Sequence, residues 1–384
     1  MGTTTDTTAT TGSTDTSGAA TADVPSHAWS FARWGDSGLA AAAGEVAGDV
    51  DGSVDLARSL GDLAPDVGRD TWRVFSALAT LGAVDLTTAR TVEPHWDALA
   101  ILDQAAHPVP EGGSWGVWAA APPGTTLAGA PAGSAGPAGS TGPADGNARG
   151  DWVLSGTKPW CSLADHLSHA LVTASVADGP PRLFAVALRD GGVSVDPTAW
   201  APRGLRDVTT STVTFVDVPA TPVGEPGWYL ERPGFAWGGI GVAAVWFGGA
   251  AAVAGRLWST ARTRRPDQIA LLHLGACEAV LDGALVALRH AATAIDEGRA
   301  DGEEGRLLAA RVRAQVAAAA EEVLARVGHA LGPGPLALDP EHAGRVADLT
   351  LYLRQHHAER DLAALGALVA PPLEASPSRD GAAT

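Results

Sequence analysis

Residues 150–162 read Gly-Asp-Trp-Val-Leu-Ser-Gly-Thr-Lys-Pro-Trp-Cys-Ser, and they open a stretch of short β-rich segments that continues to residue 218. Two apolar runs within it, 170–176 and 183–188, are separated from their neighbours by Gly, Pro and Asp residues. Apolar runs of this length are typical of strands, and such breaks are typical of turns. The stretch therefore predicts an antiparallel β module in the middle of the chain.

Ala-rich and Leu-rich segments lie on both sides of the β module. Apolar residues recur at helical spacing on its N-terminal side, over 39–50, 54–63, 70–81 and 85–106. On its C-terminal side the same spacing predicts four long helices, over 235–257, 268–295, 303–328 and 344–368. This order indicates an α+β fold with an N-terminal α-helical domain, a middle antiparallel β domain and a C-terminal four-helix bundle.

Shifts in composition mark the domain boundaries. The helical domain is predicted over 26–112, the β domain over 113–222 and the helical bundle over 223–370. Residues 1–25 and the tail 371–384 contain too few large apolar side chains to offset the entropy of ordering, and 126–149 has the Gly/Ala/Pro/Ser composition of a flexible loop insertion. We expect these three segments to be disordered or flexible.

The overall charge excludes whole classes of partner. The 384 residues carry a formal net charge of −17, and the pI is near 4.9. Because nucleic acids and anionic membranes attract basic surfaces, we expect neither as a partner. A charge-free run at 233–255 is long enough to cross a bilayer, but Gly and Ala dominate it, and we interpret it as a buried helix.

The cysteine content indicates the compartment. Cys161 and Cys277 are too few for a disulfide framework, which favours a reducing cytoplasm. Residues 1–25 lack the basic and apolar segments of a secretory signal. We therefore expect a cytoplasmic protein.

The order of helices and strands, together with the motif at 150–162, resembles the acyl-CoA dehydrogenase family of flavoproteins over roughly residues 70–366. Members of that family carry a run Gly-x-Tyr/Trp-x-Leu-x-Gly-x-Lys-x-Trp-Ile-Thr/Ser that crosses the flavin. The resemblance implies bound FAD, with Trp160 beside the isoalloxazine ring and Cys161 and Ser162 completing the motif. Ser162 then hydrogen-bonds the flavin near N5, and such donors favour the reduced ring. The structural alternative is that Trp160 is an interior residue at a strand end.

The resemblance also assigns the phosphate end of the cofactor. Family members carry Arg-x-x-Phe-Gly followed by a Gln, and this Arg and Gln reach the pyrophosphate and adenine of FAD, often on a neighbouring protomer. The matching positions here are Arg262 and Gln268, although Phe-Gly is absent and the loop between them is shorter. A solvated basic turn between two helices is the alternative.

Two elements of the family's catalytic machinery are missing. A Thr-Glu-Pro turn after the first strand contacts flavin and substrate in the family, whereas this chain has Ala119-Ala120-Ala121-Pro122. The Glu-Gly-Thr loop that supplies the catalytic base is absent, and its Glu aligns with His356 when counted from Asp348. Since an imidazole accepts a proton near neutral pH, His356 is the candidate base. A surface or helix-packing histidine is the alternative.

The resemblance implies an FAD-dependent oxidoreductase that removes the α-proton of an acyl thioester such as an acyl-CoA and transfers the β-hydride to flavin. The missing Glu leaves two alternatives, a flavin-dependent monooxygenase of the same fold or a catalytically silent partner subunit. An electron-transfer partner or dioxygen receives the electrons. The apolar helices at 233–255 and 303–328 exceed the needs of one bundle, so we expect a homodimer or homotetramer. The sequence shows no metal-ligand spacing.

Overall fold

A computed structural model describes residues 1–2, 30–133, 152–177, 179–196 and 200–371. Most of the segments expected to be disordered or flexible, namely 3–25, 134–149 and 372–384, lie outside the described residues. The described chain runs from helices through a sheet to a second set of helices.

Among the described residues, four α-helices precede the sheet: α1 (Ser37–Glu45), α2 (Val50–Ser59), α3 (Thr71–Val84) and α4 (Leu86–Gln104). Asp36, Asp70 and Asp85 each accept a hydrogen bond from a backbone amide in the first turn of α1, α3 and α4, respectively. Such caps satisfy amides that a helix cannot bond internally, so they define where these helices begin.

Seven described strands form one sheet: β1 (Trp115–Trp118), β2 (Ala128–Pro131), β3 (Trp152–Ser162), β4 (His169–Ala174), β5 (Arg182–Ala187), β6 (Val193–Asp196) and β7 (Thr210–Val223). Their order is β1-β4-β5-β7-β3-β2, with β6 paired to β7. Most pairs are antiparallel, as predicted, and β1 and β4 at one edge of the sheet run parallel. The chain between β1 and β4 carries β2 and β3 to the opposite edge, which is the long crossover that a parallel pair requires.

Part of the segment predicted as a flexible insertion, 126–149, is a strand. β2 pairs antiparallel with β3, and Leu127 beside it is buried. A Cβ at Gly129 would lie 2.9 Å from the Phe184 ring, so the small residues of β2 serve close packing. The prediction of a flexible segment is therefore wrong for Ala128–Pro131.

Within the described part of the chain, seven α-helices follow the sheet: α5 (Trp228–Glu231), α6 (Pro233–Thr263), α7 (Gln268–Asp296), α8 (Gly302–Leu331), α9 (Pro333–Leu338), α10 (Pro340–Tyr352) and α11 (Glu359–Val369). The fourth long helix predicted, over 344–368, is broken into α10 and α11. Ala358 has a φ of 48°, a left-handed conformation that a helix cannot continue through. Arg313 of α8 donates to the Gln355 carbonyl oxygen at 3.1 Å, so the break is held from outside the segment.

α6 is the buried centre of the helical part. Ala244, Val245 and Trp246 in its middle are fully buried, which confirms the interpretation of the charge-free run as a buried helix. By length and composition alone, α6 and α7 are both apolar enough to cross a membrane. The apolar window of α6 is 78% buried within the fold, and that of α7 is 28% buried.

The backbones of α3 and α6 approach each other at two glycines. A Cβ at Gly248 would lie 1.9 Å from the Ala79 carbonyl oxygen, and a Cβ at Gly82 would lie 2.4 Å from the Val245 carbonyl oxygen. Both distances are far below van der Waals contact, so only glycine permits this helix spacing. The pair fixes α3, and with it the start of α4, against the centre of the fold.

Gly248→Ala should destabilise the protein by about 3 kcal/mol, because the added methyl group meets the Ala79 carbonyl in a packed core that resists the shift. Gly255→Ala is the matched control in the same helix, since nothing lies within 4 Å of its Cβ position. It should be neutral or should stabilise by up to about 1 kcal/mol. Urea denaturation followed by circular dichroism measures both, and equal stability of the two variants would contradict the close approach.

Candidate functional site

A cavity of about 850 Å³ lies where the sheet meets α4 and the end of α10, and we call it the sheet-side cavity. Its sheet wall consists of the end of β1 with the following residues 119–122, the end of β3 and the start of β7. Its helix wall includes Glu93 and Asp97 of α4 and Tyr352 of α10. The segment between β6 and β7 completes the lining.

Trp160 reaches this cavity because β3 contains a β-bulge. Strand alternation from the buried Lys158 would bury Trp160 and expose Cys161. The register of β3 against β7 shifts between Lys158 and Cys161, and Trp160 has a φ of 63°. That conformation costs a residue other than glycine about 1–2 kcal/mol. Trp160 is 60% exposed and Cys161 is buried, so the bulge turns the indole outward and excludes the alternative of an interior tryptophan.

Cys161 points into the core instead. Its thiol sulfur lies 3.2 Å from the Lys158 carbonyl oxygen, and burial raises its pKa to about 12. The Cys161 side chain does not line the sheet-side cavity. The bulge that exposes Trp160 buries the thiol, so the side chain of Cys161, which was predicted to bind the cofactor, does not face this cavity.

The motif residues Gly156 and Lys158 hold the strand in place. Gly156 has a φ of 119°, and a Cβ there would lie 2.3 Å from the Thr126 carbonyl oxygen. The buried Lys158 ammonium donates to the carbonyl and hydroxyl oxygens of Thr173, at 2.7 and 2.8 Å, and burial lowers its pKa to about 8. The Thr173 hydroxyl donates onward to the Ala119 carbonyl oxygen at 3.1 Å. The motif lysine therefore anchors the chain that follows β1 at the cavity wall.

Ser162 lies on the cavity wall beside Thr210, with the two hydroxyl oxygens 3.0 Å apart. The Trp118 indole N–H donates to the Ser162 carbonyl oxygen at 3.2 Å. The Thr210 hydroxyl donates to the Val208 carbonyl oxygen at 3.3 Å, so Ser162 donates to Thr210, and the positions left free for a ligand are acceptors. Trp160, Ser162 and Thr210 thus form an aromatic and polar part of the wall.

The chain after β1 lines the cavity with small side chains. The sequence there is Ala119, Ala120 and Ala121, where the resemblance would place Thr and Glu. Alanine has no polar side-chain atom, so hydrogen bonds from this segment to a ligand come from the backbone.

His356, predicted as the catalytic base, does not line the sheet-side cavity. It lines a second cavity, of about 500 Å³, whose walls are helices and the turn after α10, and which we call the helix-side cavity. Its ring packs edge-on against Trp246, with ring centroids 6.4 Å apart, and burial lowers its pKa. The predicted base His356 therefore faces away from the sheet-side cavity, because the break after α10 directs its ring to the other side.

Glu93 is an acidic residue of the sheet-side cavity that the sequence did not single out. Its carboxylate accepts hydrogen bonds from Arg90 at 3.3 Å and from the Tyr352 hydroxyl at 3.4 Å. Burial raises its pKa to about 7, against the lowering effect of Arg90. A carboxyl group with this pKa exchanges protons near neutral pH, as general acid–base catalysis requires. In sequence it is an ordinary glutamate, because Tyr352 meets it only in the fold.

Asp97 lies one turn further along α4, on the same side as Glu93. It pairs with Arg232 at 3.5 Å, and the Arg232 side chain is only 3% exposed. Burial raises the pKa of Asp97, and Arg232 opposes this effect. Because Glu93, Asp97 and Tyr229 line both cavities, they form the wall between them.

Arg262 and Gln268 lie elsewhere, at the end of α6 and the start of α7. The Arg262 guanidinium stacks over the Trp258 ring at 4.8 Å. Neither residue lines the sheet-side or the helix-side cavity. One copy of the chain therefore does not bring them to Trp160.

No protein-family model matches the sequence, and no curated protein matches it. Solved structures do match in fold. KijD3 in complex with FMN and dTDP-3-amino-2,3,6-trideoxy-4-keto-3-methyl-D-glucose is 19% identical, with a TM-score of 0.66 over 88% of this chain and 92% of that chain. FMN-bound TdsC from Paenibacillus sp. A11-2 is 17% identical, with a TM-score of 0.68 over 88% and 96%. A glutaryl-CoA dehydrogenase from Mycobacterium smegmatis in complex with FADH2 is 16% identical, with a TM-score of 0.69 over 89% and 98%.

These likenesses show that the chain has the acyl-CoA dehydrogenase fold, as the resemblance in sequence predicts. TdsC is a dibenzothiophene monooxygenase, so enzymes of different chemistry share the fold. The chemistry of this chain therefore depends on its site and not on its fold alone.

The pKa of Glu93 predicts a pH-dependent stability. Its folded-state value of about 7 lies above the ordinary 4.5, so folding favours the protonated carboxyl. The protonated carboxyl contributes up to about 3 kcal/mol to the free energy of unfolding. This contribution is fully present below the ordinary pKa and is lost as the pH rises through the folded-state pKa. Between about pH 5 and pH 8, Glu93→Gln should therefore lose less unfolding free energy than the wild type.

Urea denaturation at both pH values measures this difference. Glu45→Gln, at an exposed position of α1, is the matched control and should keep the wild-type pH dependence. A Glu93→Gln profile parallel to that of the wild type would show that Glu93 does not titrate near neutral pH.

Proposed function

We propose that the protein is a flavin-dependent oxidoreductase whose flavin ring lies in the sheet-side cavity. The observation that carries this proposal is the bulge in β3, which exposes Trp160 at the cavity wall beside Ser162. When bound, a flavin supplies two-electron chemistry, as a hydride acceptor or, once reduced, as an electron donor to dioxygen. The flavins in the complexes of KijD3, TdsC and the glutaryl-CoA dehydrogenase support the proposal.

The residues of the cavity fit such a ring. Its volume of about 850 Å³ is within the range of about 300–1,000 Å³ that is typical of small-molecule sites. The Trp160 indole offers an aromatic surface, and the hydroxyl oxygens of Ser162 and Thr210 offer acceptors to N–H groups of the ring. The alanines 119–121 leave space where longer side chains would narrow the cavity.

We further propose a reaction of the monooxygenase type. Such a reaction would place one oxygen atom of dioxygen in the substrate and release the other as water, and a separate reductant would supply the two electrons and two protons through the bound flavin. The orientation of His356 supports this proposal. Dehydrogenation of an acyl thioester needs a base beside the α-carbon, and the residue that aligns with the family's base faces the helix-side cavity instead.

Glu93 is the residue that we assign to proton transfer in the sheet-side cavity. With a pKa of about 7, its carboxyl group can take a proton from the substrate and return one. Tyr352 and Arg90 both donate to Oε2, which fixes the orientation of the carboxylate. Acyl thioester dehydrogenation is the second candidate function, because the same carboxylate is a possible α-proton base.

Flavin binding is the first test. The purified protein should bind flavin, and Trp160→Ala should weaken the affinity about tenfold, because the lost aromatic contact contributes about 1.4 kcal/mol. Val216→Ala is the control, since it also removes an exposed apolar side chain of the sheet. The flavin absorbance and fluorescence titration give the affinities, and a protein that takes up no flavin would contradict both enzymatic functions and favour a silent partner subunit.

The reaction type is tested with two probes. Anaerobic butyryl-CoA should leave the flavin absorbance unchanged, whereas reduced protein mixed with isotopically heavy dioxygen and indole should give an indole product that contains the heavy oxygen. Indole is chosen because TdsC binds it in a complex with FMN. Bleaching by butyryl-CoA that Glu93→Gln abolishes would instead establish the dehydrogenase.

We also propose that the flavin is FAD and that the protein is a homodimer or homotetramer. Ile269, Leu271 and Leu272 are exposed on α7 directly after Arg262 and Gln268, which supports a contact between copies at this end of the helices. Such a contact would bring Arg262 and Gln268 to the neighbour's FAD diphosphate.

Light scattering across a dilution series should show the oligomer. Arg262→Ala should lower the affinity for FAD and leave that for FMN unchanged, because only FAD has the AMP half. Arg265→Ala, at the second residue of the turn after α6, is the matched control. A monomer with equal affinity for both flavins in all variants would contradict the assignment.

A further inference from the structure

The segment 203–208, which lies between β6 and β7, forms part of the wall of the sheet-side cavity. Leu205 and Val208 line the cavity, and they are 6% and 3% exposed. The Val208 amide donates to the Leu205 carbonyl oxygen at 3.2 Å, which closes a turn between them. The segment therefore presents two apolar side chains to a molecule in the cavity.

The end of the segment nearer to β7 is tied to the sheet. The Leu163 amide, directly after β3, donates to the Thr209 carbonyl oxygen at 2.7 Å. The Thr209 hydroxyl donates to the Asp165 carboxylate at 3.1 Å. These contacts fix Thr209, whereas Leu205 lies four residues earlier in the chain.

Leu205 is held instead by α10. Its backbone amide donates to Oδ1 of Asp348 at 2.6 Å, which is short for an N–H···O bond. A Cβ at Gly204 would lie 2.1 Å from the Ala347 carbonyl oxygen, so the backbone of the segment lies directly against that of α10. Only glycine permits so close an approach. The contact thus joins the β6–β7 connection to a helix across the cavity.

The conformation of Leu205 shows that this contact constrains the segment. Leu205 has a φ of 48°. A bulky residue other than glycine adopts this left-handed conformation only where the surrounding structure holds it. The Asp348 carboxylate bonds the amide of this same residue. Without that bond, Leu205 would relax towards an ordinary conformation and its side chain would leave the wall.

We propose that Asp348 is a positioning residue that keeps the segment 203–208 closed against the sheet-side cavity and so retains the molecule bound there. Asp348 does not itself line the cavity, and it acts through Leu205. The retention of a flavin rests on the proposed oxidoreductase function, whereas the closure of the segment does not.

Trypsin measures the closure, because Arg203 and Arg206 are exposed cleavage sites within the segment. Cleavage of a folded chain follows local opening, so its rate reports the population of the open segment. Asp348→Ala should raise the rate of cleavage after Arg206 about tenfold, because the Leu205 amide loses its acceptor. Asp348→Asn should stay within about threefold of the wild type, since its amide oxygen can take the place of Oδ1.

Gly204→Ala tests the same contact from the other side. Its added methyl group would meet the Ala347 carbonyl oxygen, so cleavage after Arg206 should rise here as well. If Asp348→Ala fails to fold, Gly204→Ala decides the question. A folded Gly204→Ala variant that is cleaved after Arg206 at the wild-type rate would overturn the proposal.

Two controls separate local opening from general loosening. Glu341→Gln, at an exposed position of α10, should be cleaved as the wild type is. Arg189 is an exposed cleavage site in the turn after β5, and cleavage there should be unchanged in every variant. Wild-type cleavage after Arg206 in Asp348→Ala would overturn the proposal, and so would cleavage that rises equally after Arg189.

The rate of flavin release tests the retention. Flavin should leave Asp348→Ala about tenfold faster than the wild type, and Asp348→Asn should restore slow release to within about threefold, as followed by flavin fluorescence after dilution. Faster cleavage of Asp348→Ala with wild-type flavin release would overturn the positioning role. Faster cleavage in a protein that takes up no flavin would support the closure by Asp348 and contradict the oxidoreductase function, so the two proposals are distinguishable.

Discussion

The close approach of α3 and α6 at Gly82 and Gly248 is the constraint on which the positions of both cavities depend. α6 is the buried axis of the helical part, and Arg232 immediately precedes it. α3 is fixed against α6 by backbone contact, and α4 begins two residues after α3 ends. The positions of Glu93 and Asp97 in the wall between the cavities therefore depend on two glycines. Both glycines lie more than ten residues away in sequence, and neither has a functional group in its side chain.

Apolar periodicity was sufficient to predict the order of helices and strands, because large contiguous faces decide those elements. It failed where a segment is held by partners distant in sequence. β2 is composed of small residues and depends on Phe184 and β3 for its conformation. The last predicted helix is broken at a turn that Arg313 of α8 holds, and no local signal in the sequence marks this contact.

The candidate site, too, could be predicted from the sequence only in part. The motif identified Trp160 and Ser162, because its spacing is tied to the strand that carries them. It could not predict the bulge that exposes Trp160 and buries Cys161, because regular strand alternation would bury Trp160 and expose Cys161. Glu93 was missed because its raised pKa comes from burial beside Tyr352, which the fold supplies. His356 occupies the position that aligns with the family's glutamate. The alignment could not predict which side of the turn the His356 ring faces.

α11 has no buried residue, yet its Asp361 and Ala364 close one side of the helix-side cavity. A helix with so little buried apolar surface opens locally at a free energy well below that of global unfolding. Its amide hydrogens would exchange with solvent sooner than those of α6. Mild denaturant would then widen the helix-side cavity at concentrations that leave the rest of the protein intact.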